Sequence, residues 1–145
     1  MNMEFSVRPD QGDPSGFNLG DMLWCGELGQ AGSAGHRPDQ GMMIYVSVTE
    51  LMDCLGGLLQ GRTRSASFTG ADTSFGLAFR MTTKGIRVAS SSGPVAVVSP
   101  AALALTALSA AEELARLHLD GLPPDGVADD YVAALRKFRL TAHAC

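Results

Sequence analysis

The residues that could support acid–base or nucleophilic catalysis are few in this sequence and stand far apart. Its histidines are His36, His118 and His143, and none has a partner at the spacing of zinc ligands. A cysteine nucleophile needs a histidine base and a third group that orients the base. No local motif joins Cys25 or Cys54 to a histidine, although the fold could bring either one to His36. We therefore expect no catalytic residue, no metal site and no cofactor.

Two other patterns resemble functional motifs but have simpler explanations. The segment Gly26–Gly35 has the composition of a phosphate-binding loop, but it lacks the lysine and the following helix that such a loop requires. The acidic pairs Glu112–Glu113 and Asp129–Asp130 are adjacent in sequence, so on a helix their side chains would point roughly 100° apart. Neither pair can therefore form one acid–base dyad, and the second pair suits a helix N-terminus.

The pentapeptide Arg-Pro-Asp-Gln-Gly occurs twice, at residues 8–12 and at residues 37–41. Pro-Asp-x-Gly is common in turns, and the residues that flank the two copies differ. The sequence therefore favours reuse of a turn over a duplicated binding motif. Arg8 and Arg37 could still lie at one end of the sheet.

Length and composition predict one globular domain over residues 1–145. Hydrophobic residues make up 46% of the chain and charged residues 18%. No stretch approaches the roughly 20 apolar residues of a membrane span, and the first residues lack the pattern of a secretory signal. The three cysteines form no CxxC pair and are odd in number, which is typical of reduced thiols. We expect a soluble cytoplasmic protein that does not act at a membrane.

The net charge of −4 argues against a nucleic-acid partner, because an acidic surface repels phosphate backbones. The only basic cluster visible along the sequence is Arg136, Lys137 and Arg139. Its position is typical of the solvated C-terminal end of a helix, where the helix dipole favours cations.

Alternation of apolar and polar residues predicts the strands of the first part of the chain. We expect a strand at Met3–Val7, a bulged strand or two short strands within Phe17–Leu28, and a strand at Met42–Val48. Gly29–Gly41 is predicted to be a long exposed hairpin loop, and such loops are often functional.

Helical spacing then replaces the alternation, from Val48 to Leu59. Ser47 and Glu50 have the spacing of a capping box, and Gly61 is suited to a C-terminal stop. The internal pair Gly56–Gly57 weakens this helix by about 1 kcal/mol per glycine relative to alanine.

The second half of the chain predicts antiparallel strands followed by two helices. Ser74–Thr82 alternates most clearly, Thr82–Gly85 suits a hairpin turn, and shorter strands follow as far as Val98. Ser99 with Pro100 is expected to begin a long helix, and Asp125 to cap a shorter final one. The predicted fold class is α+β: a single antiparallel sheet or small sandwich with one intervening helix and two C-terminal helices.

A run of residues from Met42 to Leu114 has a pattern shared by a known group of proteins. It consists of a strand (43–48), a leucine-rich helix (50–59), a hairpin (74–80 and 85–88) and a terminal helix. In this order it resembles the WapI-type immunity proteins and related uncharacterised actinobacterial domains. The resemblance implies binding without catalysis, by a protein that occludes its partner through a sheet face or a loop surface.

The first functional hypothesis is a non-enzymatic protein-binding module, immunity-like or accessory. Its partner would be another protein, with a toxin as one candidate. Aromatic and arginine side chains contribute most at interfaces, and loops present them. The candidate binding residues are therefore Trp24, His36, Arg37, Asp39 and Tyr45. Core packing is the alternative for Trp24.

Two further hypotheses belong to other classes. Seven methionines and six phenylalanines could line the apolar cavity of a small-molecule pocket protein, such as a cyclase or an isomerase. Alternatively, the Ala/Leu-rich helix Pro100–Leu119 offers an apolar face through which the chain could form a homodimer.

Overall fold

Eight strands form two antiparallel sheets of four strands each, and three helices pack against them. The computed structural model describes residues 1–145. The first sheet contains β1 (Asn2–Val7), β2 (Leu19–Cys25), β3 (Gln30–Gly32) and β4 (Met42–Met43). The second sheet contains β5 (Ser65–Thr69), β6 (Gly76–Thr82), β7 (Gly85–Ser90) and β8 (Gly93–Val98). The helices are α1 (Ile44–Leu59), α2 (Pro100–His118) and α3 (Gly126–Ala144), with a 3-10 turn at Leu119–Gly121. The predicted α+β class is confirmed.

The first sheet is built around β2. β1 lies antiparallel along one edge of β2, while β3 and β4 share the opposite edge. The period-2 alternation of these strands buries Phe5, Met22 and Trp24 on the inner face and leaves Glu4 and Leu23 exposed on the outer face. The segment predicted as one bulged strand or two short ones thus forms the single strand β2.

The second sheet is a meander in the order β5-β6-β7-β8. Its hairpin between β6 and β7 turns at Thr82–Gly85, as the sequence predicts. Sequence alternation did not reveal β5, because Ser65–Thr69 carries only Phe68 as a large apolar residue.

The strand predicted at Met42–Val48 is wrong beyond Met43, because α1 begins at Ile44. β-branched residues favour strands locally, but burial of one helical face decides the outcome here. Ser47 does not cap this helix either. Its Oγ accepts a hydrogen bond from the backbone N–H of Ala71 (2.9 Å), and the helix has no side-chain N-cap.

The two C-terminal helices begin where the sequence predicts. Ser99 Oγ accepts from the N–H of Ala102 (3.1 Å) at the start of α2, and an Asp125 carboxylate oxygen accepts from the first N–H groups of α3. The final helix is not shorter, because α2 and α3 both contain 19 residues. The apolar face of α2 is covered by β1 and α3 within the chain.

The two sheets share one core of 31 buried residues. Trp24 of β2 contacts Phe79 of β6, with ring centroids 5.8 Å apart. The turn between β2 and β3 lies on β8, where the N–H of Leu28 donates to the Val95 carbonyl (3.0 Å). A Cβ at Gly26 would overlap that same carbonyl group, so glycine allows the close approach. None of the three helices has both the length and the apolar character that a membrane span needs.

Candidate functional site

A guanidinium shared by two carboxylates lies at one end of the first sheet. Arg8, which follows β1, donates from Nε and Nη2 to Asp21 of β2, at 2.9 and 3.0 Å. It also donates from Nη1 and Nη2 to Asp39 in the loop before β4, both at 2.8 Å. These four hydrogen bonds join segments that are far apart in sequence. We call Arg8, Asp21 and Asp39 the Arg8 network.

The electrostatics of the Arg8 network favour its charged form. The hydrogen bonds from Arg8 lower the pKa of Asp21; partial burial opposes this effect, and a hydrogen bond from the Ser33 hydroxyl (2.7 Å) supports it. Arg8 likewise lowers the pKa of Asp39, with help from the backbone N–H of Gly41 (2.9 Å). The two carboxylates in turn raise the pKa of Arg8. All three groups are therefore ionised near neutral pH.

The Arg8 network connects the two copies of the repeated pentapeptide, because Arg8 belongs to the first and Asp39 to the second. The copies have different roles. Arg8 is paired and half-buried, whereas Arg37 is exposed and makes no ion pair. Gly41 ends the second copy against the Arg8 guanidinium, which a Cβ at this position would overlap. The fold therefore brings the two copies together without making them equivalent.

An open cleft of about 600 Å³ adjoins the Arg8 network. Its floor is the outer face of the first sheet, where Glu4 lies opposite the exposed side chain of Leu23. One wall is the exposed loop 34–40, and another is the serine-rich turn 90–92 between β7 and β8. Five of the seventeen lining residues are hydrophobic, and most of the others carry side chains that can form hydrogen bonds.

The only histidine in the cleft, His36, lies in the loop wall. Its Nε2 donates to the Gly32 carbonyl (2.6 Å), which orients the ring along the loop. Neither candidate cysteine is its partner, because Cys25 contacts Gln30 and Cys54 donates to the Ser67 carbonyl. No group of three His, Cys, Asp or Glu side chains is close enough to hold a metal ion. The arrangement supports hydrogen bonding to a ligand, and neither candidate cysteine forms a hydrogen bond with a histidine.

The structure separates the candidate binding residues into two sets. His36, Arg37 and Asp39 lie together on the exposed loop. Trp24 and Tyr45 have exposed fractions of 0% and 2%, so these two side chains cannot contact a partner at the surface. Trp24 belongs to the core, which was the alternative raised from the sequence.

Arg8, Asp21 and Ser33 were not among the site residues expected from the sequence. One signal could have found the first of them. Each pentapeptide carries one arginine and one aspartate, so the arginine of one copy could form an ion pair with the aspartate of the other. A common turn sequence does not by itself explain why both charged residues are present.

Comparison of the chain with protein-family models, with curated proteins and with solved structures found no match. The function of the cleft is therefore inferred from its own residues.

Proposed function

We propose that this chain is a non-enzymatic, immunity-like protein-binding module that acts in the cytoplasm. Loop 34–40 and the adjoining cleft form its contact surface. The observation that carries the proposal is the Arg8 network, which ties the exposed loop to the first sheet. Two charge-assisted hydrogen bonds from Arg8 reach Asp39 in the loop, and two reach Asp21 of β2. A loop that is ordered before binding loses less conformational entropy when a partner binds.

The chemistry of this surface is that of a protein interface. Leu23, 38% exposed, supplies an apolar centre, and the surrounding serine, glutamine and histidine side chains supply a polar rim. Arg37 projects from the loop without an intramolecular partner, and arginine is enriched among residues that dominate binding energy. A toxin whose surface this region would occlude is the partner class implied by the resemblance to WapI-type immunity proteins.

A small-molecule pocket protein is the second candidate, favoured by the cleft volume of about 600 Å³, which is ordinary for a ligand site. We place it second because ligand sites are usually enclosed and lined mostly by apolar residues, whereas this cleft is open and lined by more polar than hydrophobic residues.

The proposal can be tested with the products of the genes that flank this one. Each would be titrated against the purified chain by calorimetry, with the Arg37→Ala and Leu23→Glu variants measured in parallel. We expect one product to bind and each substitution to weaken that binding about fivefold or more. Arg136→Ala, which removes an exposed arginine from α3, is the matched control and should bind as the wild type does.

Equal affinity in the wild type and in both cleft variants would reject this contact surface. Catalytic turnover of a small molecule that requires His36 would reject a purely binding role.

A further inference from the structure

The second sheet carries a local charge opposite to that of the whole molecule. Residues 62–98 contain five basic side chains and one acidic one, whereas the rest of the chain contains six basic and fourteen acidic side chains. The basic residues of this segment are Arg62, Arg64, Arg80, Lys84 and Arg87. All five are exposed.

Strand pairing places two of these arginines side by side on the outer face of the sheet, and a third lines the same depression. Arg80 of β6 lies directly opposite Arg87 of β7, and Arg64 immediately precedes β5. Together they line a shallow depression of about 830 Å³. The small side chains of Ala78 and Ala89 also line it and leave room above the sheet. We call Arg64, Arg80 and Arg87 the arginine face.

No carboxylate within the chain neutralises the arginine face. The four ion pairs of the molecule involve Arg8, Arg116 and Arg139, and none involves a basic residue of the second sheet. Like charges directly opposite each other in a β pair are destabilising. The positive charges of Arg80 and Arg87 therefore repel each other, and a carboxylate from outside the chain would reduce this repulsion.

We infer that the arginine face is a second binding surface, which takes an acidic segment of a partner protein. Each guanidinium can bind a carboxylate through two parallel hydrogen bonds, and the adjacent pair Arg80–Arg87 suits two neighbouring acidic side chains. Shape complementarity comes from the small residues, which let a peptide backbone approach the sheet. The surface shares no lining residue with the cleft, so the inference does not depend on the proposed function.

The chemistry of the face favours a protein segment over nucleic acid. Single strands bind to sheets largely by stacking their bases on exposed aromatic side chains. The aromatic residues in this sheet, Phe68 and Phe79, and Phe75 just before β6 are all buried. The acidic remainder of the molecule would also repel a long phosphate backbone that extends beyond the face.

Fluorescence anisotropy with a fluorescein-labelled oligoglutamate peptide tests this inference on the intact chain. We expect saturable binding that weakens about tenfold when Arg80→Ser and Arg87→Ser are combined. The matched control combines Arg136→Ser and Lys137→Ser, which removes the same charge from exposed positions of α3. That control should bind the peptide as the wild type does, and Arg37→Ala should also leave this binding unchanged.

Several outcomes would overturn the inference. One is no binding of the peptide, and another is an equal loss of affinity in the α3 control, which would indicate an effect of net charge alone. Tighter binding of a single-stranded oligodeoxynucleotide of equal charge would make nucleic acid the occupant. Self-association by light scattering that disappears in the double variant would make the occupant a second copy of the chain. Circular dichroism should show that both double variants keep the wild-type fold.

Discussion

Among single residues, Arg8 has the largest expected effect on the candidate site, because its guanidinium is shared by Asp21 and Asp39. Replacing it with methionine keeps an apolar stem but removes all four hydrogen bonds. Because the Arg8–Asp21 pair is partly open to solvent, we expect its removal to lower the free energy of unfolding by about 1 kcal/mol. Loop 34–40 should loosen more visibly, and hydrogen exchange at the Gly41 amide, which donates to Asp39, should accelerate.

Arg37→Met is the control for this experiment, because Arg37 lies in the same loop and makes no ion pair. Equal exchange rates at Gly41 in wild type and Arg8→Met would contradict the role given to the Arg8 network.

The same network predicts how stability depends on pH. Asp21 and Asp39 have lower pKa values in the folded state, so the unfolded state binds their protons first as the pH falls. Their contribution is complete above the ordinary aspartate pKa of about 3.9 and is lost as the pH falls through the lower folded-state values. The variant that combines Asp21→Asn with Asp39→Asn should therefore lose less stability than the wild type between about pH 5 and about pH 2.

Urea unfolding across that range measures the difference. Asp13→Asn combined with Asp53→Asn is the control, since both side chains are exposed and neither makes an ion pair. The control should keep the wild-type pH dependence. If the wild type and the Asp21/Asp39 variant lost the same stability as the pH fell, these carboxylates would not contribute to the pH dependence of stability.

Residue types alone could predict part of the candidate site. The composition of the loop was enough to indicate exposure of His36 and Arg37. By contrast, aromatic residues are important both in cores and at interfaces, so their type alone does not show that Trp24 and Tyr45 are buried. Their burial depends on packing between segments that are distant in sequence. The Arg8–Asp39 pair joins residues 31 positions apart, and only the fold places them together.

At the scale of elements, the turn between β2 and β3 joins the two sheets, and Gly26 makes the contact possible. Gly26→Ala would force its Cβ into the Val95 carbonyl group. We expect it to lower the free energy of unfolding by about 1–3 kcal/mol, as overpacking usually does. Gly56→Ala is the matched control, because a Cβ at this position in α1 meets no atom within 4 Å. It should stabilise the protein by about 1 kcal/mol.

Urea unfolding of the two variants tests both expectations, since the same glycine-to-alanine change should destabilise the protein at position 26 and stabilise it at position 56. A stabilising Gly26→Ala would mean that the turn does not lie against β8 as described.

Elements with strong local signals were predicted well, and those decided by packing were not. Ser99 and Asp125 cap α2 and α3 through hydrogen bonds within a few residues, so the sequence is sufficient. The start of α1 is different, because Ile44 and Val48 favour a strand locally and become helical to bury one face in the core. β5 forms because it pairs with β6. Its own five residues alternate too weakly to indicate a strand.

At the scale of the whole molecule, net charge describes the distribution of charge on the surface incompletely. The value of −4 predicted an acidic surface, and the basic cluster at Arg136–Arg139 was the only one visible in the sequence. The arginine face arises because β6 and β7 pair Arg80 with Arg87, seven residues apart along the chain. A charge pattern of this kind is a property of topology, and only the sheet register reveals it.

The shared core also predicts that the molecule unfolds as one unit. Trp24, the only tryptophan, belongs to the first sheet, is fully buried and contacts Phe79 of the second sheet. Its fluorescence therefore reports separation of the two sheets, whereas far-ultraviolet circular dichroism is dominated by the three helices. Because 31 buried residues form a single cluster, the two signals should change with the same midpoint in urea. A fluorescence transition that precedes the loss of helix would contradict this, since it would mean that the first sheet can detach while the helices remain folded.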